Sequence, residues 1–277
     1  MTTPDPFSGR DQAYLRDEQY KNPTNLTSRA DLHQKYGTAA LQWFPWLASE
    51  VDWPTGGEIL EVGCGAGWLW TAVHDVLDAP VHLTLTDFSA GMVQAASELV
   101  APLPTIELVD ARTADAQSLP FPDASFDLVV ANYMLYHVPD PSLAVREFAR
   151  VLRPDGQLVA GTVGADHLRE IFEIRAEVFG GVPATRTANV FGRENGAAIL
   201  REGFQDIEWH DYVDELHCAD PDDVMAFLTS TTPASDATPP ERDALQTAVA
   251  RRFADGNGIF KVTKDTGFFL ARHNAHP

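Results

Sequence analysis

The residues best placed to do chemistry fall in three short groups in the first half of the chain. In ILEVGCGAGWLW, Ile59 to Trp70, an apolar run ends in Gly63, Cys64, Gly65, Ala66 and Gly67 and then turns helical. Glycine tolerates positive φ and carries no Cβ, so such a turn lets backbone approach a ligand closely. The following helix start offers unpaired N–H groups and a positive dipole end. Glu61, just ahead of the turn, disfavours a phosphate there and favours a cation such as an amine or a sulfonium. The dinucleotide fingerprint G-x-G-x-x-G/A needs a small third residue, and here that position is Trp68. The second group is Asp87, at the end of the alternating run Val81 to Thr86. An acid at the tip of a second strand can accept from both hydroxyls of a ribose; the alternative is a turn residue or helix cap, a role that Ser89 can also fill. The third group is Asp115 and Ala116, in a loop that continues into Leu119, Pro120 and Phe121.

These groups, in this order, together with EFARVLRPDGQLV at Glu147 to Val159, make the chain similar to class I S-adenosylmethionine-dependent methyltransferases. Within them it resembles the group that includes the menaquinone and ubiquinone C-methyltransferases. The likeness is specific from about Ile59 to Val163. It implies S-adenosylmethionine as cofactor, with S-adenosylhomocysteine as product. It further implies that the glycine loop takes the methionine moiety, Asp87 the ribose and Asp115 the adenine amine. Ala116 would add a backbone N–H, and Phe88 and Met92 would pack on the adenine.

Methyl transfer from a sulfonium is an in-line displacement, so the protein must align the reactants and exclude water. A base is needed only where the acceptor still carries its proton. The acceptor meets the cofactor at the C-terminal edge of the strands. Asn132, Tyr133, Tyr136 and His137 follow the fourth strand there, and His167 follows the fifth. Asn132 is expected beside the cofactor. His137 is either a general base or a helix-start residue packed beside the cofactor, and His33 and His167 are either pocket residues or ordinary histidines. From the N-terminal region Tyr20, Asn25, Arg29 and His33 can reach the site. Tyr20 is read as packing over the methyl group. Arg29 is read as pairing with the cofactor carboxylate or with Asp31 or Glu18. Glu194 and Asn195 are candidates from a lid, whereas Trp43, Phe44 and Trp46 read as core.

The elements that must position these residues alternate strand and helix from Glu58 to Val163, the order that builds a parallel sheet. Strand ends are predicted near Val62, Thr86, Val109, Ala131 and Val163, with helices over 68–77, 90–100 and 142–152. A further helix over 166–179, a Gly/Pro-rich loop, a short helix in RENGAAILREGF, a strand in DIEWHDYVDELHC and a helix in PDDVMAFLTS follow. A helix over 241–253 precedes short edge strands around Lys264-Asp265-Thr266-Gly267. The expected fold is α/β: a Rossmann-like sheet, mostly parallel with an antiparallel edge strand and helices on both faces. A helical N-terminal arm (1–50) precedes the domain (51–277), which carries a lid insertion at about 178–238.

Composition narrows the function. With 277 residues and 44% hydrophobic content the chain can bury a substantial core. Its start, MTTPDPFSGR, is no signal peptide, no run is long enough to span a bilayer, and two cysteines make no disulfide framework. A cytoplasmic enzyme without membrane insertion is expected, as monomer or homodimer. A net charge of −20 opposes nucleic-acid backbones, so the expected partner is a small molecule. ANYM at Ala131 to Met134 is not the Asn/Asp-Pro-Pro-Tyr/Phe motif of amino-methylating nucleic-acid enzymes. No carboxylate cluster follows the fourth strand, so no metal is expected. The reading is methyl transfer to carbon or oxygen of an apolar or aromatic metabolite. N-methylation, or cofactor binding without methyl transfer, is the alternative. A nicotinamide-dependent short-chain oxidoreductase would need a Tyr-x-x-x-Lys pair, and none follows Val159.

Overall fold

The structure is a computed structural model that describes residues 11–182 and 187–273. The chain enters through α1 (Gln12–Tyr14), a π-helical turn (Leu15–Gln19), α2 (Thr24–Tyr36) and α3 (Trp43–Glu50). Then come β1 (Glu58–Val62), α4 (Trp68–Val73), β2 (Val81–Asp87), α5 (Ala90–Val100), β3 (Ile106–Thr113) and β4 (Phe126–Asn132). A 3-10 turn (Leu135–His137), α6 (Pro141–Val151), β5 (Leu152–Val163) and α7 (Arg169–Phe179) follow. The chain ends with α8 (Arg193–Leu200), β6 (Asp206–Asp211), β7 (Glu215–Cys218), α9 (Pro221–Leu228), α10 (Pro239–Asp255), β8 (Phe260–Thr263) and β9 (Thr266–Arg272).

The seven-stranded sheet has the order β3-β2-β1-β4-β5-β9-β6. All neighbours pair in parallel except β9, which is antiparallel to both β5 and β6. The antiparallel strand therefore lies one place in from the edge, because Asp206–Asp211 pairs along its outer side. The order reverses between β1 and β4, and that switch point opens a crevice at the strands' C-terminal ends.

Alternation along the strands builds two cores. Leu60, Val62, Val129 and Ala131 point to the face covered by α6 and α8, where Phe148, Phe191 and Phe204 are buried. Ile59, Leu83, Leu85, Leu128 and Val130 point to the face covered by α3, α4 and α5, with Trp70 fully buried. Asp140 and Ser89 cap α6 and α5 through side-chain acceptors, which fixes where those helices begin.

The second half departs from the expected layout. DIEWHDYVDELHC is two strands: Asp206–Asp211 in the main sheet, and Glu215–Cys218 paired with Phe260–Thr263 in a separate two-stranded sheet. Of the two terminal strands expected at an edge, β8 pairs with β7 in the small sheet and β9 lies inside the main one. Within 178–238, α8 and β6 belong to the main sheet's layers. α8 can do so because Gly196 has no Cβ, which would lie 2.4 Å from Phe269. A third core forms instead from α2, α7, α9, α10, β7 and β8, with Leu32, Ile174, Leu216, Leu245 and Phe260 buried in it. The small subdomain therefore begins earlier than expected, at α7, and includes α2 of the arm. Part of the expected Gly/Pro-rich loop, residues 183–186, lies outside the described residues, as do 1–10. The expected helix over 166–179 starts at Arg169, after a left-handed Leu168 (φ 56°).

Candidate functional site

The glycine turn has the geometry its composition requires. Gly63, Gly65 and Gly67 have φ of 70°, 52° and 79°, the region where other residues are strained. A Cβ on Gly63 would lie 2.6 Å from that of Met134, so the glycine admits the segment after β4. A Cβ on Gly67 would lie 3.0 Å from the Cα of Ala96, so this glycine performs the close helix packing that Trp68 cannot. Cys64 N–H bonds Thr86 O at 2.9 Å, and the Cys64 thiol is buried, which pushes its pKa well above the ordinary value.

Two carboxylates sit under this turn. Asp87 accepts from Gly65 N–H at 3.0 Å and from Ser89 N–H at 2.8 Å, so it holds the turn to the end of β2. Those two bonds leave lone pairs for a ribose. Burial raises its pKa. Glu61 is 2% exposed and accepts from Trp70 Nε1–H at 2.6 Å. Desolvation, opposed by that hydrogen bond and aided by Asp87, pushes its pKa up to about 8. A buried acid held protonated near neutrality is well matched to a cationic guest, whose charge would favour its ionised form. On the other side of the crevice, Asn132 Oδ1 is buried with no hydrogen-bond partner, as is Trp43 Nε1. Asp115 accepts from Gln117 N–H at 2.9 Å beside buried Ala116. Arg150 fixes the loop that follows, donating to the carbonyls of Leu119 and Phe121.

One cavity of about 450 Å³ joins these groups, within the range typical of small-ligand sites. Glu61, Asp87, Asp115 and Asn132 line it, as do Phe88, Met92, Ala116 and the glycine turn. The arm closes its other wall. Lys21 O lies where a Cβ on Gly91 would be, at 2.2 Å, so the arm crosses directly over the start of α5. α2 then runs along the cavity and presents Leu26, Arg29, Ala30 and His33, the i, i+3, i+4, i+7 stripe of one helical face. The side chain of Asn25 lies outside the described residues.

The candidate catalytic residues separate into two pairs. Tyr20 Oη lies 2.8 Å from His137 Nε2, and the Arg29 guanidinium sits 5.4 Å from the Tyr20 ring centre and hydrogen-bonds Tyr20. Desolvation, reinforced by Arg29, depresses the His137 pKa to about 3, so its imidazole is neutral near pH 7. Burial raises the Tyr20 pKa. His167 does not join this pair. Its ring stacks on His33 at 5.8 Å, beside Phe227 of α9. Burial lowers the pKa of His33 to about 3 and that of His167 well below its ordinary value. Glu194 and Asn195 are absent from the cavity wall: Glu194 accepts from Ala165 N–H and Asn195 caps α8. Trp43 and Phe44, expected in the core, line the cavity as well as packing on it.

Sequence reasoning missed Lys264, Phe172, Arg175 and Phe227, which also line the cavity. Lys264 reads as a turn residue, but its side chain is 5% exposed and pairs at 2.5 Å with that of Asp214, 1% exposed. Nothing local in GIFKVTKDTGFF signals that burial, because the partner lies 50 residues away.

A glycine turn and two carboxylates at the C-terminal ends of β1 and β2, at the switch point of a doubly wound sheet, define a nucleoside-binding α/β protein. Residues 60–160 match the family model described as a methyltransferase domain. The malonyl-[acyl-carrier protein] O-methyltransferase of Erwinia billingiae is 36% identical over 129 residues, 45% of this chain and 46% of that protein. The demethylmenaquinone methyltransferase of Staphylococcus epidermidis is 34% identical over 117 residues, 42% of this chain and 47% of that protein. The matched region therefore spans about half the length of these relatives. Among solved structures, phosphoethanolamine N-methyltransferase 2 of Haemonchus contortus, in complex with S-adenosyl-L-methionine, superposes with a TM-score of 0.56 at 18% identity. That match covers 95% of this chain and 60% of the other. Over residues 60–160 the chain is thus similar to methyltransferases, and its fold is that of the S-adenosyl-L-methionine-bound neighbour. No described helix is long and apolar enough to cross a membrane.

Proposed function

We propose that the chain is an enzyme that moves a methyl group from S-adenosylmethionine to carbon or oxygen of a small apolar or aromatic metabolite, without a metal. The observation that carries this reading is the single cavity shared by the Glu61–Asp87–Asp115 side and the Tyr20–His137 pair. When bound, the cofactor supplies an electrophilic methyl group on a cationic sulfur. The protein's own residues bind, orient and exclude water. Asp87 and Asp115 hold the nucleoside, Glu61 and Asn132 face its cationic end, and Arg29 pairs with its carboxylate. The arm and the small subdomain act as the lid that shuts water out.

Tyr20 and His137 stand at the boundary between the cofactor groups and the rest of the cavity, with Tyr20 over the reacting carbon. A neutral imidazole can accept a proton relayed through the Tyr20 hydroxyl, but one with a pKa near 3 is a weak base. Proton transfer to it from an aliphatic alcohol is strongly uphill. The pair therefore suits acceptors that arrive ionised or carry an acidic proton, such as a phenol, an enol or an activated carbon acid.

Incubation with methyl-labelled S-adenosylmethionine and a metabolite extract tests the proposal. Transfer of label to a small molecule, undiminished by EDTA, is expected. Retention of all label on the cofactor would favour cofactor binding without methyl transfer, and reversible loss on chelation would refute the metal-free reading. Among the described residues no group of three metal-ligating side chains forms.

A further inference from the structure

The forty acidic residues of this chain are unevenly placed around the cavity. Among the described residues, those that line it are Glu61, Asp87 and Asp115, all at the ends of the first three strands or just beyond them. The far end, under the small subdomain, is lined by Lys264, Arg175, His33, His167, Phe172 and Phe227. His33 is seven residues along α2 from Leu26, whose Cδ2 lies 3.5 Å from where a Cβ on Gly65 would be. The histidine thus lies about 10 Å further along α2 than the residue that touches the turn. The far end is thus separate from the groups proposed for the cofactor.

We propose that this far end binds an anionic group, a carboxylate or a phosphate, on the methyl acceptor, so that the acceptor is an aromatic or apolar anion. The inference rests on the methyltransferase reading above and names the acceptor class for that same cavity. Lys264, His33 and His167 can each donate into it. The Lys264 ammonium has three N–H groups, of which Asp214 takes one, while its Nζ lies 4.8 Å from the Tyr212 ring centre. Asp214 is already held by Thr38 N–H at 2.7 Å and Ala39 N–H at 2.8 Å, so it is a structural counter-ion rather than a ligand group. The rings of His33 and His167 stack on each other, and each has a buried Nδ1 with no hydrogen-bond partner among the described residues. Arg175 lies over Phe172 at 4.5 Å on the same helical face, one turn further along α7. Burial leaves both imidazoles neutral, and the positive field of Lys264 acts on each. An anion relieves that field, and charge-assisted bonds from Lys264 and the imidazole N–H groups would hold it. The rings of Phe172 and Phe227 supply the apolar wall beside it.

The test is calorimetry on the full chain at fixed pH and low salt. S-adenosylhomocysteine is titrated first, then naphthoate, naphthamide and naphthylmethylamine into the loaded protein. Naphthoate is expected to bind at least about tenfold more tightly than the amide, and the amine least. Lys264→Met alone strands Asp214, so the test variant is Lys264→Met with Asp214→Asn; His33→Phe is the second. Both should lose most of the preference for naphthoate while keeping S-adenosylhomocysteine affinity. Failure of S-adenosylhomocysteine to bind would sink the underlying methyltransferase reading. Normal S-adenosylhomocysteine binding with the amide or the amine equal to naphthoate, no heat from naphthoate at millimolar concentration, or an unchanged preference in both variants would overturn the anion site alone.

Discussion

Replacing Glu61 by Gln should abolish a proton release that accompanies cofactor binding. Burial and Asp87 raise this carboxyl from an ordinary 4.5 to about 8. A shift of that size corresponds to about 5 kcal/mol of penalty on the charged form. Near pH 7 the side chain therefore carries its proton in roughly nine of ten molecules. S-adenosylmethionine brings an ammonium and a sulfonium into the cavity, and their field restores the carboxylate. Binding should then release up to about 0.9 proton per site from Glu61 near pH 7, and affinity should rise by up to about tenfold per pH unit until about pH 8. Titrations in two buffers with different heats of ionisation measure the release. Glu61→Gln keeps an acceptor for Trp70 Nε1–H but has no proton to lose, so the difference between the two proteins isolates this group. Stability of the free protein follows the same group with a definite sign. The unfolded chain ionises Glu61 above about pH 4.5 while the folded chain holds the proton to about pH 8. The stabilisation from the neutral acid is therefore complete below that window and lost as pH rises through it. Equal proton release in wild type and Glu61→Gln would refute the reasoning.

Other perturbations follow from contacts already described. Gly67→Ala must place a side chain at φ 79° with its Cβ 3.0 Å from Ala96, and should cost about 1–3 kcal/mol in chemical denaturation. Tyr20→Phe leaves His137 Nε2 buried without its hydroxyl partner. It should lower stability by about 1–3 kcal/mol and weaken S-adenosylhomocysteine binding by loosening the arm, read by thermal unfolding and calorimetry. Once an acceptor is known, methyl transfer should show no acid limb near the ordinary histidine value, because His137 stays neutral down to about pH 3; a limb near pH 6.5 that vanishes in His137→Asn would contradict that.

How much of this was legible in the chain depends on how local its cause is. The glycine turn, Asp87 and the helices expected over 90–100 and 142–152 follow from spacing, caps and alternation within a dozen residues, and they stand within a residue of where the sequence places them. The second role of Asp87, holding Gly65 N–H, needs the loop's path and is invisible in a list of acids. Tyr20 and His137 were both named as candidates, but their bond joins residues 117 apart. The places of Lys264 and Arg175 on the cavity wall are set by the packing of distant elements, not by neighbours in the chain. Trp43 was read as core on its apolarity, whereas a partly buried aromatic can wall a cavity and pack on the core at once. An edge position for the antiparallel strand fails because pairing order is non-local: the β6 residues along its outer side lie 56 to 66 positions earlier in the chain.

The central claim is that the crevice at the C-terminal ends of β2, β1 and β4 holds an adenosyl group through Asp87. Calorimetric titration of the wild-type protein and Asp87→Ala with S-adenosylhomocysteine, and of the wild type with NAD, tests it most directly. Binding of S-adenosylhomocysteine with a dissociation constant on the order of micromolar, mostly lost in Asp87→Ala, and no heat from NAD are expected. Undiminished binding in Asp87→Ala, or NAD taking the place of S-adenosylhomocysteine, would contradict the account.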